Sequence, residues 1–376
     1  MKIKLKDAFD LQIGRTPARS NAANWNGQYK WISITDLGTA GKYISTTKEK
    51  ITDKGIDESG IKIVPKGTVV MSFKLSIGKT AITTEDMYTN EAIVAFNVRE
   101  SIQVDSSYLY YLCCGNDWGE GTNKAVMGLT LNKATLSEKE IELPEIMIQR
   151  EVAKKLDKLD KIIIQRKKQL QKLDELIQAR FVELFGLPLD KSKANMRFTD
   201  CVEFNPKKSE VKDMQDVEVS FVPMECVGVD GSFNIRENGP VSNYYKGYTY
   251  FRDGDVLLAK ITPCFENGKA AIAEGCKNGI GFGTTEFHVA RPKAGVSNSY
   301  WIKYMLKNDS VHELATINMT GSAGQKRIQT PFFDKLTIYC PPIELQNQFA
   351  DFVNQVNKSK LVIKNLLQIY KHQIQM

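Results

Sequence analysis

The chain has 376 residues, 42% hydrophobic and 25% charged, a globular composition long enough for two cores, which excludes disorder as the default. Its net charge of +7 tilts the choice of partner towards a polyanion without identifying one. Seven cysteines with no C-x-x-C pair fit neither a disulfide framework nor a zinc site. The first residues carry no apolar leader segment and nowhere do about 18 apolar residues run together, so a reduced, soluble, cytoplasmic protein with no membrane partner is expected.

Taken in chain order, residues 1–143 alternate short β-rich runs, at 68–73, 80–84 and 92–98, with Gly, Asn and Thr turns. Trp31-Ile32-Ser33-Ile34-Thr35-Asp36-Leu37 reads as a further strand, and a short helix is expected at about 107–113. Residues 144–185 change texture to a long helix without internal Gly or Pro. Its apolar positions Val152, Leu156, Leu159, Ile163, Leu170, Leu173 and Ile177 form a heptad seam, interrupted where Arg166 takes the apolar slot. Gly186 and Pro188 supply its stop, and residues 145–180 alone would span roughly 54 Å at about 1.5 Å per residue.

Residues 186–341 then repeat the first domain, and 342–376 repeat the helix. Phe221-Val222-Pro223-Met224-Glu225-Cys226-Val227 stands where Trp31 to Leu37 stood, at an offset of 190. Pro65-Lys66-Gly67 before a buried run ending at Lys74 matches Arg252-Asp253-Gly254 before a run ending at Lys260, and Gly78-Lys79 matches Gly268-Lys269. Pro144 and Gln149 match Pro341 and Gln346, both at an offset of 197. A repeat of that size is a whole domain. Each domain is mixed α and β with strands dominating, an α+β class. The second helix carries Phe349, Phe352, Val356, Ile363 and Leu366 on one side, with Ser359 breaking the spacing. Each helix could pack on its own domain, but rods of this length favour an antiparallel coiled coil of the two.

Catalytic signatures are scarce. The three histidines, His288, His312 and His372, lie in separate segments, and His288 reads as a strand residue. No G-x-S-x-G, P-loop or strand-linked G-x-G-x-x-G occurs, which argues against hydrolase, NTPase and Rossmann cofactor chemistry. Tyr339-Cys340-Pro341-Pro342 resembles the Asp/Asn-Pro-Pro-Tyr loop of amino-methyltransferases, yet a cysteine cannot supply the acceptor that such a loop offers the target amine. Polar turns carry more: Lys74, Ser76 and Lys79 on one, Lys260, Thr262, Asn267 and Lys269 on its counterpart. A second such region is Asn123-Lys124, matched loosely by Gln325-Lys326-Arg327. Lys and Arg neutralise phosphates or reach guanine, and Asn and Gln can pair with adenine, although solvated loops also have this polarity.

A domain, a Pro-led helix with Gln149, a second domain of the same plan and a Pro-led helix with Gln346 together resemble the specificity subunit of type I restriction-modification systems. The resemblance covers essentially the whole chain, most specifically Ile141-Glu142-Leu143-Pro144 and Ile338-Tyr339-Cys340-Pro341-Pro342 with their glutamines. It implies two target recognition domains, each reading half of a split, asymmetric site in double-stranded DNA, joined by an antiparallel coiled coil that sets the spacing. It implies no catalysis and no cofactor in this chain. S-adenosylmethionine, ATP and Mg would serve two adenine methyltransferase subunits and the restriction subunits recruited to it. Part of a nucleic-acid-modifying enzyme, or a coiled-coil adaptor binding protein alone, are the alternatives.

Overall fold

The computed structural model describes residues 1–118, 131–322 and 324–375, with side chains through Tyr370. The chain divides into two units, Met1–Arg166 with Leu366–Met376, and Lys167–Asn365. In the first, a five-stranded sheet runs Phe9–Ile13, Ile93–Val98, Val69–Ser72, Thr80–Thr83, Tyr43–Ile44. Three strands, Glu49–Ile51, Trp25–Ile32 and Tyr88–Thr89, form a second sheet. Val69–Ser72 is buried throughout, which explains its three consecutive apolar residues before Ser72. Successive side chains leave opposite faces of a strand, so Val69 and Met71 join the core with Phe9, Phe96 and Leu109, while Val70 joins a separate core with Ile32, Ala81 and Ile93.

The second unit is built the same way. One four-stranded sheet runs Val202–Phe204, Phe287–Pro292, Val256–Ala259, Ala270–Ile272, and the other Glu237–Pro240, Glu218–Val222, Ile280–Gly283, Thr249–Arg252. Val256 and Leu258 face one core and Leu257 another, the alternation seen at 69–71. Gly67 and Gly254 precede the paired strands with φ of 80° and 90°, a left-handed conformation that favours glycine, which is why both copies keep it.

Two expectations are corrected. The reading of 31–37 as a strand fails at Ser33, because Ser33 and Asp36 form a reciprocal capping box that starts a helix at Ile34–Thr39. The second copy turns at the same place into a short 3-10 helix, Met224–Cys226. The other correction concerns the C-terminal helix, Ile343–Gln375. Its buried positions are Gln346, Phe349, Val353, Val356, Lys360, Ile363 and Leu367, an unbroken 3-4 spacing, with Phe352 and Leu366 only half-buried beside it. Beyond Gln346 at its start, the polar member of the seam is therefore Lys360 and not Ser359; its ammonium lies 2.5 Å from Asp174 on the central helix.

The central helix extends over Ile146–Phe185, 40 residues or roughly 60 Å at about 1.5 Å per residue, and stops where Gly186 turns to φ 73°. Of its expected seam, Ile163 and Ile177 are buried, Val152, Leu156, Leu159, Leu170 and Leu173 are half-buried, and Ala153, Phe181 and Phe185 complete the covered face. Within the second unit the two helices run antiparallel, since Asp174 meets Lys360 while Phe181 and Phe185 meet Phe349 edge-on, both at 5.5 Å. The same stretch also joins the core of its domain with Phe198 and Trp301, so packing on the domain and on the other helix occur together.

Each helix is tied to its domain by one buried glutamine. Gln149 accepts from the Asp105 amide at 2.9 Å and donates to the Pro144 and Gln103 carbonyls at 2.8 and 3.1 Å. Gln346 accepts from the Asn298 amide at 3.0 Å and donates to the Pro341 and Val296 carbonyls, both at 2.8 Å. Asp105 and Asn298 are themselves the N-caps of Ser106–Gly115 and Ser299–Leu306, so each glutamine joins two helix starts and the proline-led turn. This accounts for the shared Pro and Gln register.

Candidate nucleic-acid interface

The equivalent loops leave the ends of Val69–Ser72 and Val256–Ala259 and return at Thr80–Thr83 and Ala270–Ile272. Their bases are closed identically: the Ser72 amide donates to Lys79 O at 2.9 Å and the Ala259 amide to Lys269 O at 3.0 Å. A second segment plugs each base from the side, with Leu131 N donating to Phe73 O at 3.2 Å and Ile328 N to Lys260 O at 2.9 Å. Lys260 therefore occupies the place of Phe73, which is buried, and Lys74 lies one residue further on. These two lysines are not equivalent, because neighbouring positions leave a strand on opposite sides.

Lys79 and Lys269 are equivalent, and both turn inward. Lys269 Nζ donates to the Met224 carbonyl at 3.2 Å, and a Cβ on Gly38 would stand 2.8 Å from Lys79 Nζ. Each ammonium thus sits against the short helix that follows the Trp31 or Phe221 strand. On the first loop, Lys74 has its ammonium 5.3 Å from the Phe73 ring centre, and Ser76 is exposed while its backbone oxygen accepts from the hydroxyl of buried Ser72. On the second, Asn267 is exposed and Thr262 is half-buried, its amide bound to Lys326 O at 2.9 Å.

The structure brings Lys260, Thr262, Asn267, Gln325, Lys326 and Arg327 into one loop cluster of the second unit through a bridge between Ile261 and Arg327. Gln325 and Lys326 are exposed there, whereas Arg327 is held by Glu286, at 2.8 Å from one carboxylate oxygen, which raises its pKa above the ordinary value. Neither Lys74 nor Lys326 has an ion pair among the described residues. Asn123 and Lys124 lie outside the described residues, as does the His372 side chain. Sequence reasoning missed Ser72 and Glu286, which shape the loops from inside. Glu286 is 41 residues from its arginine and carries no local signal.

His288 braces the plug segment and is buried in the strand Phe287–Pro292. Its Nε2 donates to the Ile328 carbonyl at 2.9 Å, so Nδ1 is left to accept from Asn205 at 3.2 Å. Burial lowers its pKa to about 4. The unfolded chain takes up that proton near pH 6.5, so stability is full above about 6.5 and falls as pH drops towards 4, by about 3 kcal/mol in all. Unfolding midpoints across this range should slope more steeply for the wild type than for His288→Gln; parallel curves would contradict the assignment.

Two copies of one scaffold, differing in the loops that leave the same strand ends, make this a protein of two like domains. The chain belongs to the family described as the type I restriction modification DNA specificity domain, whose sequence model matches residues 1–175 and again 201–369. It is 46% identical over 154 residues to the type I restriction enzyme EcoAI specificity subunit of Escherichia coli, a match over 40% of this chain and 25% of that protein. To the MjaIX specificity subunit of Methanocaldococcus jannaschii it is 31% identical over 221 residues, 57% of this chain and 50% of that one. The chain thus spans from a quarter to a half of these relatives' lengths. Its fold is similar over 100% of its length to a chain from a structural study of complex assembly and conformational transition of the type I R-M system, with a TM-score of 0.62, 15% identity and 95% of that chain covered. The S subunit from M. genitalium gives 0.51 at 14% identity, with 100% of this chain and 95% of that one covered. Among the described residues no helix is long and apolar enough to cross a membrane.

Proposed function

We propose that the chain is the non-catalytic DNA-specificity subunit of a type I restriction-modification complex. Each domain reads one half of a bipartite, asymmetric duplex site, and the long helices set the unread gap and recruit two methyltransferase subunits and then the restriction subunits. The observation carrying this reading is the duplicated scaffold with loops that differ in chemistry: a common frame can follow the repeating backbone while unlike loops meet unlike bases. The loop amides, lysines and exposed Asn267 and Gln325 supply phosphate and base-edge donors.

Duplex binding should be steeply salt-dependent in gel-shift titrations. Lys74→Ala and Lys326→Ala should each reduce the slope of log K against log salt by about one, as expected for one lost phosphate contact. Lys269→Ala should act mainly on stability, since its ammonium is bound to Met224 O. Binding to protein partners with no salt-sensitive duplex binding would favour the adaptor alternative.

A further inference from the structure

The tip of the first loop holds a leucine in an unusual state. Leu75 is 74% exposed and has φ 63°; the three other non-glycine residues with positive φ among those described, Asn26, Asn205 and Asn278, are asparagines. Asparagine tolerates the left-handed region through local hydrogen bonds, and leucine has no such means. The conformation is imposed from below. Ser76 N donates to Lys74 O at 2.8 Å, closing a three-residue turn centred on Leu75. Buried Ser72 holds both sides of it, its hydroxyl donating to Ser76 O and accepting from Lys79 N at 3.1 Å, while Gly78 N donates to Ser72 O at 2.9 Å.

An apolar side chain is thus pushed into water by a rigid, strained turn, between Lys74 and Ser76. The equivalent loop does the opposite. It turns its large apolar residue, Phe265, into the core, where it stacks on His312 at 4.8 Å, and leaves Glu266 and Asn267 exposed. Lying between the same strand ends and the same Gly-Lys pair, one tip is apolar and the other carries hydrogen-bonding groups.

We propose that Leu75 is a specificity-determining residue that contacts the C5-methyl group of a thymine in the half-site read by the first domain. This rests on the DNA-reading function proposed above. Among the base edges in the major groove, that methyl is the apolar feature a leucine can match, and the flanking Lys74 places a positive charge beside the backbone. Water displaced from both the methyl and the leucine supplies the discrimination.

The test uses the full chain and duplexes that it selects from a randomised library, with each selected thymine replaced in turn by uracil, which lacks only the methyl. At one position the wild type should lose about four-fold in affinity, the factor associated with burying one such carbon. Leu75→Ala should bind the thymine duplex at least about four-fold more weakly and no longer distinguish thymine from uracil there, and Leu75→Met should restore the discrimination. Thymines in the other half-site should behave alike in all three proteins. Undiminished uracil sensitivity in Leu75→Ala, unchanged affinity, or a first half-site without thymine would overturn the proposal. So would Leu75-dependent unstacking, read by 2-aminopurine fluorescence, without a uracil effect, since that marks a wedge between bases. Failure of the wild type to select any duplex would instead sink the DNA-reading function itself.

Discussion

Arg291→Met is expected to destabilise the second unit by about 3–5 kcal/mol, the range for removing one partner of a buried ion pair. Asp255 is 1% exposed and sits at the start of the Val256–Ala259 strand, where its carboxylate receives Arg291 Nε and Nη2, both at 2.9 Å. Arg291 also reaches Glu210, in the 3-10 turn Lys208–Val211, at 3.2 Å, and Glu210 in turn pairs with Arg252 at 2.9 Å, which extends the charge network. Without the guanidinium, the Asp255 carboxylate keeps, among the described residues, only the Arg252 amide at 2.8 Å and remains a buried charge. Denaturant unfolding of the single variant should show the full loss, and the double variant Arg291→Met/Asp255→Asn should recover much of it, because the stranded charge is gone. Additive losses would show that packing, and not the charge, dominates.

Gln346→Leu should cost about 4 kcal/mol. The leucine fills similar space but strands the Asn298 amide and takes a donor from the Val296 and Pro341 carbonyls, each group costing about 1–3 kcal/mol when buried without a partner. Because Asn298 caps Ser299–Leu306, amide exchange should accelerate first in that helix and in the first turn of Ile343–Gln375. Gln346→Glu keeps the acceptor but buries a carboxyl group whose second oxygen faces the Val296 and Pro341 carbonyls, so it should cost at least as much as the leucine. If exchange in Ser299–Leu306 were unchanged, the glutamine would not be the link between the two helix starts.

Much of this architecture was legible because it is local or repeated. Gly186 ends the central helix, Gly67 and Gly254 make left-handed turns, and the Pro and Gln register marks both helix starts. The capping box at Ser33 and Asp36 was equally local, but the β-branched residues around it masked a helix of only six residues. The true seam of the C-terminal helix was hidden by Lys360, a charge in an apolar slot that only its partner Asp174 explains. At the candidate interface, the sequence showed cationic loops but not which cations face inward: Lys269 is spent on Met224 O and Arg327 on Glu286, pairings set by the fold. Leu75 was invisible as a feature because exposure and backbone strain arise from the loop's closure on Ser72.

The most direct test of the account is selection of duplexes from a fully randomised library by the full chain, followed by sequencing of the bound pool. Two short defined half-sites of different sequence, separated by a fixed number of unselected base pairs, are predicted, with Lys326→Ala weakening binding without altering either half. A single uninterrupted motif, or a pool with no enriched sequence, would contradict the assignment of one half-site to each domain.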